Sequence, residues 1–240
     1  MNLIRKGHGH AHRGIIGVES AIVLIAFVIV AAALAFVVLN MGFSTTQKAK
    51  TTIISSLAES SSALEIAGKV TAIGCTASSA DPACDGAPVL NVTSVPLKVA
   101  SGGDSVNLGT GTAAVKYLSN TVEYTDIYEC NLSGATYANI TLAFDAAILD
   151  ASCTSFGAGE NPVDGSVPAN TRALIYWTVD TNQNSILDQG EHAVLAVAYS
   201  SADRPSALDK LRTEVLLPTG SPLTIERQVP NITNLVVDLG

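Results

Sequence analysis

The run Ala21–Leu39, AIVLIAFVIVAAALAFVVL, decides the fold. Its nineteen residues include no charge, no Gly, no Pro and no hydrogen-bonding side chain. As a helix, at ~1.5 Å per residue, it spans roughly 28 Å, the thickness of a bilayer core. Being apolar on every side, it needs lipid or other apolar helices around it. Small residues (Ala21, Ala26, Ala31, Ala32, Ala33, Ala35) let such helices approach closely.

Downstream the pattern changes to an amphipathic one. Ala49, Ile53, Leu57, Leu64 and Ala67 recur near one helical face, with Ser, Thr, Lys and Glu between them. No Pro interrupts Ile15–Ala67, and Gly68 is a stop signal. A single helix over residues 15–69 is therefore expected, about 80 Å long, with Gly42 as a point of slight bending. Upstream, residues 1–14 (MNLIRKGHGHAHRG) are basic and polar, which keeps them on the cytoplasmic side of a membrane. His8, His10 and His12 are read as polar filler in this leader. No small-residue cleavage site follows the apolar run, so this is not an ordinary secretory signal.

Instead Arg13-Gly14 precedes the run, Ile15 follows the glycine, and Glu19 stands five residues past Gly14. These residues resemble a class III, type IV pilin-like signal peptide. The stretch GVESAIVLIAFVIVAAALAFVVLNMGFSTTQKAK resembles the N-terminal domain of archaeal flagellins, and LTIERQVPNITNLVVDLG resembles their ending. The resemblance implies that a prepilin-type peptidase cuts between Gly14 and Ile15 and leaves the apolar helix in the mature chain. It also implies that Glu19 meets the new amine of a neighbour's Ile15. A lone carboxylate in apolar surroundings is costly unless paired or protonated.

The remainder, residues 70–240, is long enough for one domain with its own core. The chain is 48% hydrophobic and 14% charged, with a net charge of −8. The three basic residues of the leader have no acidic counterpart there, so the rest is more acidic still. An acidic surface with few aromatics repels phosphates and lacks a stacking platform, which excludes nucleic-acid binding. Short β-like runs are expected at Val92–Ala100, Ala113–Leu118, Tyr137–Phe144, Arg172–Val179, His192–Tyr199, Glu214–Leu217 and Asn234–Leu239. Turn-forming residues separate them, so the expected class is α+β: a long N-terminal helix followed by an all-β, immunoglobulin-like sandwich.

Four cysteines, Cys75, Cys84, Cys130 and Cys153, form no C-x-x-C pair, so zinc spacing is absent. An even count beyond a membrane-targeting segment fits two disulfides, with three connectivities open. The short bendable loops point to Cys75–Cys84 and Cys130–Cys153. Four N-x-[ST] sequons begin at Asn91, Asn131, Asn139 and Asn231. Archaeal flagellins are commonly N-glycosylated, and Asn91 and Asn131 adjoin loop-like stretches.

The segment Asp180–Glu191 places oxygen side chains at the EF-hand positions 1, 3, 5, 9 and 12, which are Asp180, Asn182, Asn184, Asp188 and Glu191. Ile186 at position 7 offers a carbonyl. Such a shell suits Ca2+ first and Mg2+ second. Ser185 stands where an EF-hand has glycine, and the flanks read as strands, so the expectation is a cation-binding hairpin loop. A polar turn closed by Asx hydrogen bonds is the plainer alternative.

No G-x-S-x-G elbow, P-loop or dinucleotide fingerprint occurs, and catalysis has no sequence support. The resemblance implies a non-enzymatic subunit that self-assembles into the extracellular archaeal flagellum and waits in the cytoplasmic membrane beforehand. Its partners would be identical subunits, the peptidase and the N-glycosylation machinery. A non-rotating adhesive pilin and a membrane-anchored extracellular binding or hydrolytic domain are the alternatives.

Overall fold

The computed structural model describes residues 13–61, 64–75 and 88–240. The chain divides into two compact units between Ser55 and Ser56. Helix α1 (Arg13–Ser61) is continuous over 49 residues, through Gly42. Its hydroxyls turn back onto its own carbonyls: Thr45 Oγ1 donates to Met41 O and Thr46 Oγ1 to Gly42 O, each at 2.8 Å. Thr52 does the same to Lys48 O at 2.9 Å. These bonds satisfy polar groups within the helix, so it can lie against an apolar neighbour without stranded donors.

The helix stops earlier than the expected residue 69. Ser60 and Ser61 end it, and Leu64–Ile66 becomes a strand, β1, paired antiparallel with residues 97–99. Serine competes weakly with helix by bonding locally, and an open sheet edge offers Leu64–Ile66 a full set of partners. Leu64 is buried there, so this residue of the stripe read as helical belongs to the domain core instead, with Ala67 half-buried beside it.

The second unit continues with β2 (Thr71–Cys75), β3 (Val89–Val99), β4 (Val106–Asn107), β5 (Ala114–Ser119), β6 (Glu123–Tyr124) and β7 (Tyr128–Thr136). Helix α2 (Ile140–Leu149) follows, then β8 (Arg172–Val179), β9 (Ile186–Leu187), β10 (His192–Ala198), β11 (Lys210–Leu216), β12 (Leu223–Gln228) and β13 (Val236–Asp238). The large sheet runs β13-β2-β3-β10-β8-β7, with β1 also on β3. All its pairs are antiparallel except β7 on β8, which is parallel. A small sheet, β12-β11-β5-β6, packs on one face. Strands β4 and β9 form a separate two-stranded ladder.

The core follows from alternation. Ala173, Ile175 and Trp177 of β8, with Leu195 and Val197 of β10, meet Val115, Tyr117, Leu211 and Val215 of the small sheet. The alternate residues Leu174, Tyr176, Val194, Ala196 and Ala198 face the other way and meet Phe144 and Ala147 of α2. The large sheet is thus covered on both faces, which explains why β8 and β10 read as near-continuous apolar runs.

This arrangement amends the expected all-β sandwich. The class is α+β as expected, but α2 and the loop after it form a third layer, and Tyr137–Phe144 is not a strand. Asn139 Oδ1 accepts the Leu142 amide at 2.9 Å and caps α2. Ile140, Ala143, Phe144 and Ala147 then fall on one face at helical spacing and pack inward. At the far edge, Gly74 permits a close approach: a Cβ there would stand 2.7 Å from Ile232 Cγ2. That approach lets Gly74 N donate to Leu235 O at 2.7 Å and seats β13 against β2.

Candidate functional site

Two places carry the sequence-level expectations. The first is α1. From Val18 to Leu57 its side chains are exposed, including Phe27, Phe36 and Phe43. It is the one helix among the described residues long and apolar enough to cross a membrane. Gly14 and Ile15 fall in its first turn. Glu19 is the only ionisable side chain between Arg13 and Lys48, and it is exposed at the head of the apolar run. Chemically this surface can only bury itself, in lipid or against other helices.

The second place is the loop between β8 and β10. Asp180 Oδ1 accepts the amides of Asn182 (3.2 Å) and Gln183 (2.7 Å). Glu191, 1% exposed, accepts Thr181 N at 2.9 Å through Oε1 and Asp188 N at 3.0 Å through Oε2. Asn182 Oδ1 takes the Asn184 amide, Asn184 Oδ1 takes that of Ile186, and Asn182 Nδ2 donates to Asp188 Oδ2. The loop therefore closes on itself by Asx turns. The left-handed residues are Gln183 (φ 56°) at position 4 and Gly190 (φ 91°) at position 11, not Ser185, so the missing glycine there has no steric consequence.

The donor set is hard oxygen throughout. Neither Asp180 nor Glu191 has an ion pair among the described residues, and Asp180 Oδ2 is buried without a hydrogen-bond partner. Two anionic groups at the loop base with an orphaned oxygen suit a cation, with Asp180 and Glu191 its first holders. Among the described residues, however, no three His, Cys, Asp or Glu side chains are gathered as a metal site. The arrangement fits a cation through two carboxylates and not as an assembled six-ligand cage. The loop is braced from outside: Leu108 N donates to Ser185 O at 2.9 Å and Gln189 Nε2 to Gly103 O at 2.9 Å.

The Cys130–Cys153 disulfide forms as expected and links β7 to the turn after α2. Cys75 is also disulfide-bonded; Cys84 lies outside the described residues. The sequons separate by burial. Asn91 is 0% exposed, donates to Pro162 O at 3.1 Å and approaches Arg204 Nη1 at 3.4 Å, so it cannot carry a glycan in the folded chain. That corrects the expectation placed on Asn91. Asn131 is half-buried with its amide turned to Leu108 O at 3.4 Å. Asn139 and Asn231 are exposed.

Sequence reading missed Asp203. Its Oδ2 accepts hydroxyls from Thr171 (2.7 Å), Ser200 (2.8 Å) and Tyr124 (2.9 Å). Burial pushes this carboxyl up, but the Thr171, Ser200 and Tyr124 hydroxyls outweigh it and hold the group below the usual aspartate range. Little local marks Asp203: Ser200 lies in its own turn, but Thr171 and Tyr124 come from distant segments.

A long apolar helix heading a layered, sheet-rich unit defines a helix-anchored subunit whose exposed N-terminal surface requires partners. Comparison with known proteins narrows the class. Residues 14–227 match the family model of archaeal-type flagellin. The probable flagellin 1 of Aeropyrum pernix is 33% identical over 218 residues, 91% of this chain and 92% of that one. The structure of the archaeal flagellum of Methanospirillum hungatei shares the fold at TM-score 0.56 and 20% identity, covering 93% of this chain and 99% of that one. Flagellin FlaB1 from Methanocaldococcus jannaschii does so at TM-score 0.52 and 14% identity, covering 74% and 96%. The chain belongs to the archaeal-type flagellin family.

Proposed function

We propose that this chain is the structural subunit of an extracellular archaeal flagellar filament, assembled through α1 for swimming and without catalytic activity of its own. The observation that carries the reading is α1 itself: a continuous helix whose apolar side chains are exposed from Val18 to Leu57. In the membrane, lipid covers it. After a prepilin-type peptidase cuts between Gly14 and Ile15, copies of α1 cover one another. At ~25 cal/mol per Å2 the burial of so many aliphatic groups stabilises each helix–helix contact strongly, less the ordering cost. Glu19 then finds its partner in the Ile15 amine of a neighbour, which fixes the axial register of the bundle and compensates a charge that would otherwise be stranded.

The second unit forms the outer wall. We assign the β8–β10 loop to binding Ca2+, with Mg2+ the weaker fit, on the strength of the orphaned Asp180 Oδ2 and the buried Glu191. Glycans, added by the N-glycosylation machinery, are assigned to Asn231 and Asn139. Deleting the gene tests the main reading. Cells should lose both swimming and the filaments seen by electron microscopy; motile cells with normal filaments would contradict it.

A further inference from the structure

Leu208 is unexplained by its own fold. It adopts φ 73°, a left-handed conformation unfavourable for a bulky side chain, and its side chain is 73% exposed. Neither burial nor backbone preference accounts for leucine there. An outlier of this kind, held by the surrounding structure, points to use elsewhere. Two residues on, Lys210 is exposed and makes no ion pair among the described residues. Together they form a corner of the small-sheet layer, an apolar knob beside an unpaired cation.

The opposite layer carries the complementary features. On α2, Leu142 (50% exposed), Asp145 and Leu149 (87% exposed) share the outward face at spacings of three and four. Asp150 follows, and its carboxyl is held below the usual aspartate range by the Ser152 amide and hydroxyl. Residues 137–171 contain four acidic residues and no Lys or Arg. This layer is therefore an apolar patch in a wholly anionic surround.

We infer that the Leu208–Lys210 corner of one subunit docks on the Leu142–Asp145–Leu149 face of a second copy of the same chain. The inference rests on the filament reading and adds a contact in its outer wall. The two surfaces lie on opposite sides of the large sheet, so the contact is head-to-tail. A head-to-tail contact between identical subunits propagates as an open helix wherever its rotation does not close a ring, and an open helix is what a filament needs. Leu208 would bury against Leu142 and Leu149 while Lys210 pairs with Asp145 at the rim, where such charges set register and partner choice more than affinity.

The full-length chain carrying both Leu208→Cys and Leu149→Cys, expressed in place of the wild type, tests this. Sheared filaments under mild oxidation should give a ladder of covalent multimers on non-reducing gels, absent from either single variant. Intact filaments with no more cross-linking than the single variants would overturn the contact. Charge exchange supplies a second arm. Lys210→Glu and Asp145→Lys should each lower the yield of sheared filaments about tenfold, and the chain with both should recover it. Equal loss in the double variant, with Trp177 fluorescence and melting unchanged, would also overturn the contact. The filament reading is tested apart from this, by whether wild-type shear contains the chain at all.

Discussion

Tyr124 in β6 donates its hydroxyl to Asp203 Oδ2 across 2.9 Å, joining the small sheet to the segment after β10. Thr171 and Ser200 converge on the same oxygen. Because this carboxyl is held below its unfolded value of ~3.9, it contributes stability above that value. The contribution disappears as pH falls through the lower, folded value. Asp209 and Asp238 shift in the same direction, through Ser206 and Lys69 respectively. The full chain in detergent should thus lose melting temperature on acidification below about pH 4. Asp203→Asn should flatten the Asp203 part of that dependence and cost about 1–2 kcal/mol at neutral pH. An unchanged pH profile in the variant would show that the node contributes nothing.

The Cys130–Cys153 bridge closes a segment of 23 residues that contains α2. Replacing both cysteines with serine should lower stability by roughly 3 kcal/mol. Trp177 is the only tryptophan and is fully buried, so its fluorescence follows unfolding directly. Coincident denaturation curves for the variant and the wild type would contradict the role given to the bridge.

Glycopeptide mapping of secreted chains should find Asn231 occupied and Asn91 bare. Occupancy at Asn91 would require its bond to Pro162 and its place in the core to be given up. Separately, Asn139→Ala should cost about 1 kcal/mol through loss of the α2 cap, whether or not a glycan is present.

Calcium should raise the melting temperature of the wild type relative to chelator, and Asp180→Ala or Glu191→Ala should abolish that difference. A binding ligand present at a hundred times its dissociation constant stabilises by ~2.7 kcal/mol, which melting resolves easily. Equal melting with calcium and with chelator would return the loop to a plain Asx-closed turn.

The limits of sequence reading fall where partners are distant. Ala21–Leu39 announced its helix by composition alone, and β8 matched its expected span of Arg172–Val179 because an apolar run bounded by turn residues leaves little choice. Strand β1 lies in the span expected as helix, and β2, β4, β6, β7, β9 and β12 fall outside the expected runs, since each depends on a pairing partner more than on its own pattern. Helix α2 reads as a strand in the sequence because ITLAF is rich in β-formers, and the sequon at Asn139 does not reveal that the same residue caps a helix. The burial of Asn91 depends on Pro162 and Arg204, 71 and 113 residues away, and no local signal reports such contacts. The cation loop was legible as spacing, while its Asx bonding appeared only in three dimensions.

The central claim is that α1 is retained, freed at Ile15 and buried among copies of itself. Sequencing the N-terminus of this chain in sheared filaments tests it most directly. The account predicts a single mature terminus at Ile15, with residues 1–14 absent. Filament subunits that begin at Met1, or sheared filaments from which the chain is missing while it remains in the membrane, would contradict it.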